Sequence, residues 1–289
     1  MRLVVQGSAI TYSHLAHIHQ LCNANLSHLS PANTSVQFTQ TAQHAYYLAN
    51  QSRIQPEIQS FCAEQKIDCA YVPDTQTIKK FALCVMDMDS TLISIECIDE
   101  IADMVGLKPQ VAAITERAMQ GELDFAQSLR ERVALLKGLK ETDLMRVLDE
   151  RLTLNPGAVE WIETCKKNNI TTLLVSGGFT FFADRVKAML GLDYAVSNTL
   201  EIVDGQLTGN ILGAIVDAQT KADELTKLRD SLGLTPLQTI AIGDGANDLK
   251  MITAAGIGIA YHAKPIVQAQ ATYALNHVGL EGVIGLLTS

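Results

Sequence analysis

From residue 81 onward, short apolar runs alternate with segments of helical period, and several of the runs end in polar or glycine-rich tails. The runs Phe81 to Met86, Thr172 to Val175, Thr239 to Ile242 and Gly256 to Ala260 predict strands, and their alternation with helical patterns predicts an α/β fold built on a doubly wound parallel sheet. The first three are followed by Asp87-Met88-Asp89-Ser90-Thr91, by Ser176-Gly177-Gly178 and by Gly243-Asp244-Gly245-Ala246-Asn247-Asp248. Open parallel sheets bind ligands at the carboxyl ends of their strands, so the three tails are expected to converge on one site.

Between the first and second tails lies an insertion, residues 95–154, whose patterns are all helical: Glu96 to Val105, Pro109 to Met119, Asp124 to Leu136 and Glu141 to Arg151. A helical unit inserted directly after a strand end is placed to act as a lid. A smaller insertion, Leu200 to Gly209, carries an Asp204-Gly205 hairpin signal. Before residue 78 the pattern reads β, α, β, β, α, β: Leu3 to Val5, Tyr12 to Asn25, Ser35 to Thr41, His44 to Ala49, Pro56 to Gln65 and Cys69 to Val72. That order suits a ferredoxin-like α+β sandwich. The turn-prone stretch Pro73 to Thr77 sets the expected boundary between a unit of residues 1–77 and one of residues 78–289, the latter containing the helical cap.

Composition narrows the function classes. With 289 residues, 47% of them hydrophobic and 18% charged, the chain reads as globular, with room for two or three cores. A net charge of -9 argues against a general nucleic-acid or anionic-membrane surface and leaves a small-molecule partner as the expectation. The six cysteines form no CxxC pair and are expected to be free thiols. The first residues lack a signal-peptide core of about 7–15 apolar residues, and no stretch approaches the ~20 of a membrane span. The expected location is cytoplasmic.

Aspartate is a poor strand residue and costly to bury, so Asp87 and Asp89 need a compensating feature where the strand stops. Two carboxylates about 4 Å apart repel by about 4 kcal/mol at an effective dielectric near 20, and Asp244 and Asp248 add to the load. A divalent cation relieves it, and an all-oxygen set favours Mg²⁺, which shares its remaining positions with water and phosphate. Beside such an ion, Asp87 is a candidate nucleophile toward phosphorus, and Asp89 a candidate acid and base. Ser176 with the Gly177-Gly178 backbone offers donors to an anion, and Lys221, read as the first residue of a helix capped by Thr220, opposes the helix dipole unless an anion is near. Phe125 and Arg132 fall on one helix face with Leu129 between them, where a guanidinium favours a carboxylate partner.

In their order, Asp-Met-Asp-Ser-Thr, Val-Ser-Gly-Gly, a solitary lysine and Gly-Asp-Gly-Ala-Asn-Asp resemble the four motifs of the haloacid dehalogenase superfamily. The insertion with Glu96 and the run Asp124 to Arg132 is similar to the phosphoserine phosphatase family within it. The resemblance spans roughly residues 81–275. It implies that Asp87 is the nucleophile and Asp89 the acid/base, and that Asp87, the Asp89 main-chain carbonyl and Asp244 bind Mg²⁺ with Asp248 supporting that shell. It implies further that Ser176, Gly177, Lys221 and Asn247 hold phosphate, while Glu96 meets the substrate ammonium and Arg132 its carboxylate. The implied reaction is hydrolysis of O-phospho-L-serine, the last step of serine biosynthesis. The first 77 residues resemble ACT-like domains, although Gln6-Gly7-Ser8-Ala9-Ile10 lacks their Pro-Gly turn, and they are expected to serve dimerisation or regulation.

Blander readings stand beside these. Ser94 can cap a helix in which Glu96 is merely a favourable acid, Arg132 can form a structural ion pair, and His262 beside Tyr261 reads as packing or surface. Rival functions are a phosphatase or phosphotransferase for another small phosphate ester and a phosphorylated signalling module. The second is disfavoured because a resident acid/base at Asp89 speeds loss of the phosphoryl group.

Overall fold

The computed structural model describes residues 1–23, 38–42, 45–51 and 54–288. Its N-terminal part runs β1 (Arg2–Gln6), α1 (Tyr12–Asn23), β2 (Thr39–Ala42), β3 (Ala45–Leu48), α2 (Pro56–Glu64) and β4 (Asp68–Val72). The sheet is antiparallel in the order β2-β3-β1-β4, so β3 lies between the two strands that flank the first helix, as in a split βαβ sandwich. Residues 24 and 25 of the expected first helix, 35–37 of the second strand and His44 of the third lie outside the described residues. Strand β1 is buried along its whole length. Leu3 and Val5 face Ile18, Ile58 and Cys62 of the helices, whereas Val4 and Val72 turn the other way and join the core of the larger sheet.

That larger sheet comprises β5 (Leu83–Met86), β6 (Thr171–Phe179), β7 (Tyr194–Val203), β8 (Gln206–Leu212), β9 (Thr239–Gly243), β10 (Ile257–Tyr261) and β11 (Tyr273–Leu275), in the order β11-β10-β9-β5-β6-β7-β8. All neighbours are parallel except β7 and β8, the hairpin whose turn residues Asp204 and Gly205 both take positive φ. The chain moves outward from β5 through β6 and β7, then returns to the far side of β5 as β9. This reversal puts the ends of β9, β5 and β6 side by side, with Met86 opposite both Ile242 and Leu174. A topological switch point of this kind opens the crevice in which such sheets bind ligands.

Helices α3 (Cys97–Met104), α4 (Lys108–Met119), α5 (Phe125–Ala134) and α6 (Glu141–Glu150) form the cap, with Val111, Leu129, Val133, Leu144 and Val147 buried among them. Asp124 starts α5 with a reciprocal capping box, its Oδ1 accepting from Gln127 N at 2.7 Å. The cap joins the core through two crossing segments. Ile93 and Leu154 make an antiparallel bridge, Asn155 N donates to Leu92 O and Ser94 N to Thr153 O, each at 2.9 Å. The remaining helices are α7 (Ala158–Lys167), α8 (Thr180–Leu190), α9 (Ala218–Ser231), α10 (Leu249–Ala254), α11 (Pro265–Gln268) and α12 (Gly282–Leu287). Among the described residues no helix is long and apolar enough to cross a membrane.

Two boundaries differ from the sequence reading. Strand β6 runs on through Ser176, Gly177 and Gly178 to Phe179, because its pairing with β7 resumes at Phe179 opposite Asn198 after an irregularity. Helix α9 begins one turn before Lys221: Asp217 is its cap, with Oδ1 accepting from Thr220 N at 2.8 Å and from the Thr220 hydroxyl at 2.9 Å. Aspartate caps better than threonine, so the upstream residue takes the position.

The two sheets are joined by polar contacts. Asp68 at the start of β4 accepts from the amides of Asn276, His277 and Val278 at 2.8, 2.8 and 3.1 Å. Buried Arg2 donates to the carbonyls of Pro73, Gln76 and Leu286.

Candidate active site

Asp87 follows β5 directly, and its amide donates to Ile242 O of β9 at 3.0 Å. The chain then makes one wide turn, Met88–Leu92, closed by Ile93 N donating to Met88 O at 3.0 Å. Within it Ser90 adopts φ of 55°, a left-handed conformation that costs a non-glycine residue about 1–2 kcal/mol. Two bonds offset that cost: Ser90 N donates to Ile95 O at 3.2 Å, and its hydroxyl to Glu96 Oε1 at 2.7 Å. From beneath, Asn155 Nδ2 donates to Thr91 O at 2.8 Å and to Ile93 O at 3.1 Å, tying the turn to the cap hinge. The turn brings both Asp87 and Asp89 to the same cleft.

The other two tails approach so closely that a Cβ on their glycines would push a neighbouring group aside. A Cβ on Gly178 would stand 2.7 Å from Asp89 Oδ2, one on Gly243 2.5 Å from the Asp248 carboxylate, and one on Gly177 2.9 Å from Phe125 Cζ of the cap. Ser176 is buried, with Oγ accepting from Gly178 N at 2.9 Å. Asn198 steadies this stretch, donating to Gly177 O and accepting from Val216 N, both at 2.8 Å. Sequence reading missed Asn198, which carries no motif of its own.

Lys221 lies wholly inside the protein, with Nζ 2.8 Å from Asp87 Oδ1 and 2.7 Å from Asp248 Oδ1. Burial works against its ammonium, yet the charges of Asp87 and Asp248 raise its pKa above the ordinary lysine value. Asp248 also accepts from Gly245 N at 3.0 Å, and Asp244 Oδ1 from the Thr91 hydroxyl at 3.0 Å. Carboxylate oxygens of Asp87, Asp244 and Asp248 all lie within 4.8 Å of one another. Burial, then repulsion from Asp248, pushes Asp87 well above the usual carboxylate range despite Lys221, and the same causes take Asp244 up to about 6. Asp89 reaches about 7, by burial first and by Glu96 second. One ammonium serves three clustered carboxylates, an imbalance that fits a hard divalent cation.

Glu96 occupies the cap position of α3 itself, while Ser94 hydrogen-bonds Thr153 Oγ1 at 2.6 Å instead of capping the helix. The cap reading of Ser94 fails because its hydroxyl is spent on the hinge. Glu96, Phe125, Leu129 and Arg132 face the aspartates across a cleft of about 680 Å³. Asn247 and the Ser176-Gly177-Gly178 stretch line the same cavity. Burial depresses the Arg132 guanidinium below its ordinary value, with Asp99 and Glu96 pulling the other way. Arg132 Nε donates to Ser128 O at 3.4 Å, and among the described residues it has no ion pair. Thr115 and Met119 of α4 and Lys264 just before α11 also line the cleft and were not singled out from sequence, where nothing local marks them. His262 packs its ring against Tyr261, 4.4 Å between centroids, and borders the cleft as well.

Residues 84–253 match the family of haloacid dehalogenase-like hydrolases. The chain is 51% identical to a phosphoserine phosphatase of Polaromonas sp. over 220 residues, 74% of this chain and 93% of that one. The solved unliganded form of a probable phosphoserine phosphatase from Vibrio cholerae superposes with a TM-score of 0.85 at 42% identity, covering 99% of this chain and 86% of the other. A phospho-aspartyl intermediate analogue of phosphoserine phosphatase superposes with a TM-score of 0.66 at 40% identity, covering 71% of this chain and 97% of the other.

Proposed function

The chain belongs to the haloacid dehalogenase-like hydrolases and, within them, to the phosphoserine phosphatases, and from that premise we propose that it hydrolyses O-phospho-L-serine to L-serine and phosphate through an aspartyl-phosphate on Asp87. A carboxylate oxygen of Asp87 attacks phosphorus, and the bond to the serine oxygen breaks as Asp89, protonated below about pH 7, donates its proton to that oxygen. Asp89 then takes a proton from the water that attacks the acyl-phosphate. Phosphate leaves and Asp87 is regenerated. Asp87, the Asp89 main-chain carbonyl and Asp244 would hold Mg²⁺, with Asp248 behind them. The ion supplies positive charge that lets a carboxylate and an anionic phosphate approach.

The buried Ser176 hydroxyl, the Gly177 amide, Lys221 and Asn247 are assigned to the phosphate oxygens. Glu96 is assigned to the substrate ammonium and Arg132, with Phe125 beside it, to the substrate carboxylate. The observation that carries the substrate reading is Arg132, a half-buried guanidinium with no ion pair among the described residues, lining the same cleft as the aspartate pair. Such a group favours a bidentate carboxylate.

Mg²⁺-dependent phosphate release tests the reading. Asp87→Asn is expected to abolish turnover. Arg132→Ala is expected to lose about 30-fold or more in kcat/KM on phosphoserine, the 2–5 kcal/mol of a truncated buried charge pair, with less than about tenfold loss on an aryl phosphate. Equal losses on both substrates would remove Arg132 from substrate recognition, and turnover in Asp87→Asn would remove the nucleophile.

The division into residues 1–77, 78–289 and an inserted cap at 95–154 is supported by the separate cluster of Leu3, Val5, Ile18, Ile58 and Cys62. A cytoplasmic location is supported by six free cysteines. A dimer through the N-terminal sheet would use the β2 edge, since Asp68 of β4 already holds the 276–278 amides; sedimentation of wild type against a β2 proline variant checks this.

A further inference from the structure

Strands β6 and β7 pair at Val175 opposite Val196 and again at Phe179 opposite Asn198, so Ser176, Gly177 and Gly178 bulge out against Ser197 alone. An irregularity of this kind breaks the ladder and leaves backbone groups to find other partners. Asn198 supplies them. Its side chain, 1% exposed, donates from Nδ2 to Gly177 O and accepts at Oδ1 from Val216 N, both at 2.8 Å. A carbonyl on one side and an N–H on the other fix which way the Asn198 amide points.

Each bond bears on a residue assigned to phosphate. A trans peptide points its C=O and N–H to opposite sides, so anchoring Gly177 O on Asn198 turns the Gly178 N–H away from β7. That N–H donates to Ser176 Oγ at 2.9 Å. The serine oxygen is thereby occupied as an acceptor, and its own proton, with no acceptor among the described residues, is left for a ligand in the cleft that Ser176 lines. The second bond reaches Val216, the residue before Asp217, which caps the helix that carries Lys221.

We propose that Asn198 is a positioning residue for the phosphoryl group: by holding the Gly177-Gly178 peptide it presents the Ser176 hydroxyl as a donor to a phosphate oxygen. An ionised aspartate in its place keeps the acceptor for Val216 N and loses the donor to Gly177 O. The proposal rests on the assignment of Ser176 to phosphate, and the experiment separates the two.

Initial rates of the Mg²⁺-loaded full chain, in a double-mutant cycle of Asn198→Asp and Ser176→Ala, test it. Asn198→Asp is expected to lower kcat/KM about 10- to 100-fold on phosphoserine and on an aryl phosphate alike, and to weaken inhibition by inorganic phosphate at least about threefold. In the Ser176→Ala background the same substitution should cost less than about threefold, because a peptide that acts through the hydroxyl then has nothing to position. Should Asn198→Asp not fold, Asn198→Ser, whose shorter side chain cannot span both partners, decides by the same cycle. Unchanged kcat/KM, unchanged phosphate inhibition, or the full loss in both backgrounds would overturn the proposal. Wild-type kcat/KM in Ser176→Ala would overturn it together with the assignment of Ser176, whereas an impaired Ser176→Ala with additive losses removes Asn198 alone.

Discussion

Replacing Lys221 with methionine removes the one cation between two buried carboxylates. Its Nζ stands 2.8 Å from Asp87 and 2.7 Å from Asp248, with none of the three side chains more than 5% exposed. Each pair attracts by about 6 kcal/mol at an effective dielectric near 20, but desolvating three charges consumes much of that. The measurable quantity is the cost of leaving the carboxylates alone, about 3–5 kcal/mol for a buried pair stripped of one partner. Urea unfolding in metal-free buffer should therefore show Lys221→Met less stable by about that amount. Lys221→Met/Asp248→Asn should recover at least about 2 kcal/mol relative to additive losses. The deficit should also depend on pH. Burial and Asp248 already raise Asp87, and losing the lysine raises it further. A carboxyl whose folded pKa exceeds its unfolded value contributes stability that is present in full below the unfolded pKa and is lost as pH rises through the folded one. The variant's deficit should accordingly shrink toward acid. A loss under about 1 kcal/mol, additive single variants, or a deficit constant between about pH 5 and pH 8 would refute the reasoning.

The pH profile of kcat/KM on an aryl phosphate should fall as pH rises through about 7, the value to which burial and then Glu96 bring Asp89, and Glu96→Gln should move that limb to lower pH; a limb that stays put would break the link between the two carboxylates. Gly177→Ala places a methyl 2.9 Å from Phe125 Cζ without any backbone strain. The ring must withdraw by roughly 0.5–1 Å, and kcat/KM should fall by about 10- to 100-fold while the calorimetric Tm stays nearly unchanged. Asn155→Ala frees the Thr91 and Ile93 carbonyls, so denaturant melts should lose about 1–3 kcal/mol and kcat should drop more than KM rises; unchanged kinetics would show that the turn does not need this brace.

Much of this architecture was legible in the chain. The apolar runs at 81–86, 239–242 and 256–260 are strands within a residue or two, the four cap helices follow their periodicity, and Asp204-Gly205 makes the expected hairpin turn. Local side-chain chemistry decides such elements, so local reading finds them. It failed where a distant contact overrode the local preference: Ser176-Gly177-Gly178 reads as a turn but is held extended by β7 and Asn198, and Ser94 reads as a helix cap but bonds Thr153.

The sequence by itself determined which residues are candidates for the chemistry, since aspartates, a serine and glycines at the ends of apolar runs have few structural uses there. Lys221 shows what it left open. Read along the chain it is a helix-start lysine seeking an anion; in the fold it sits within α9, wedged between Asp87 and Asp248. Only the strand order β9-β5-β6 brings those groups together. A segment's periodicity records what it must bury, whereas a charge pair between distant segments exists only after the sheet has set them side by side.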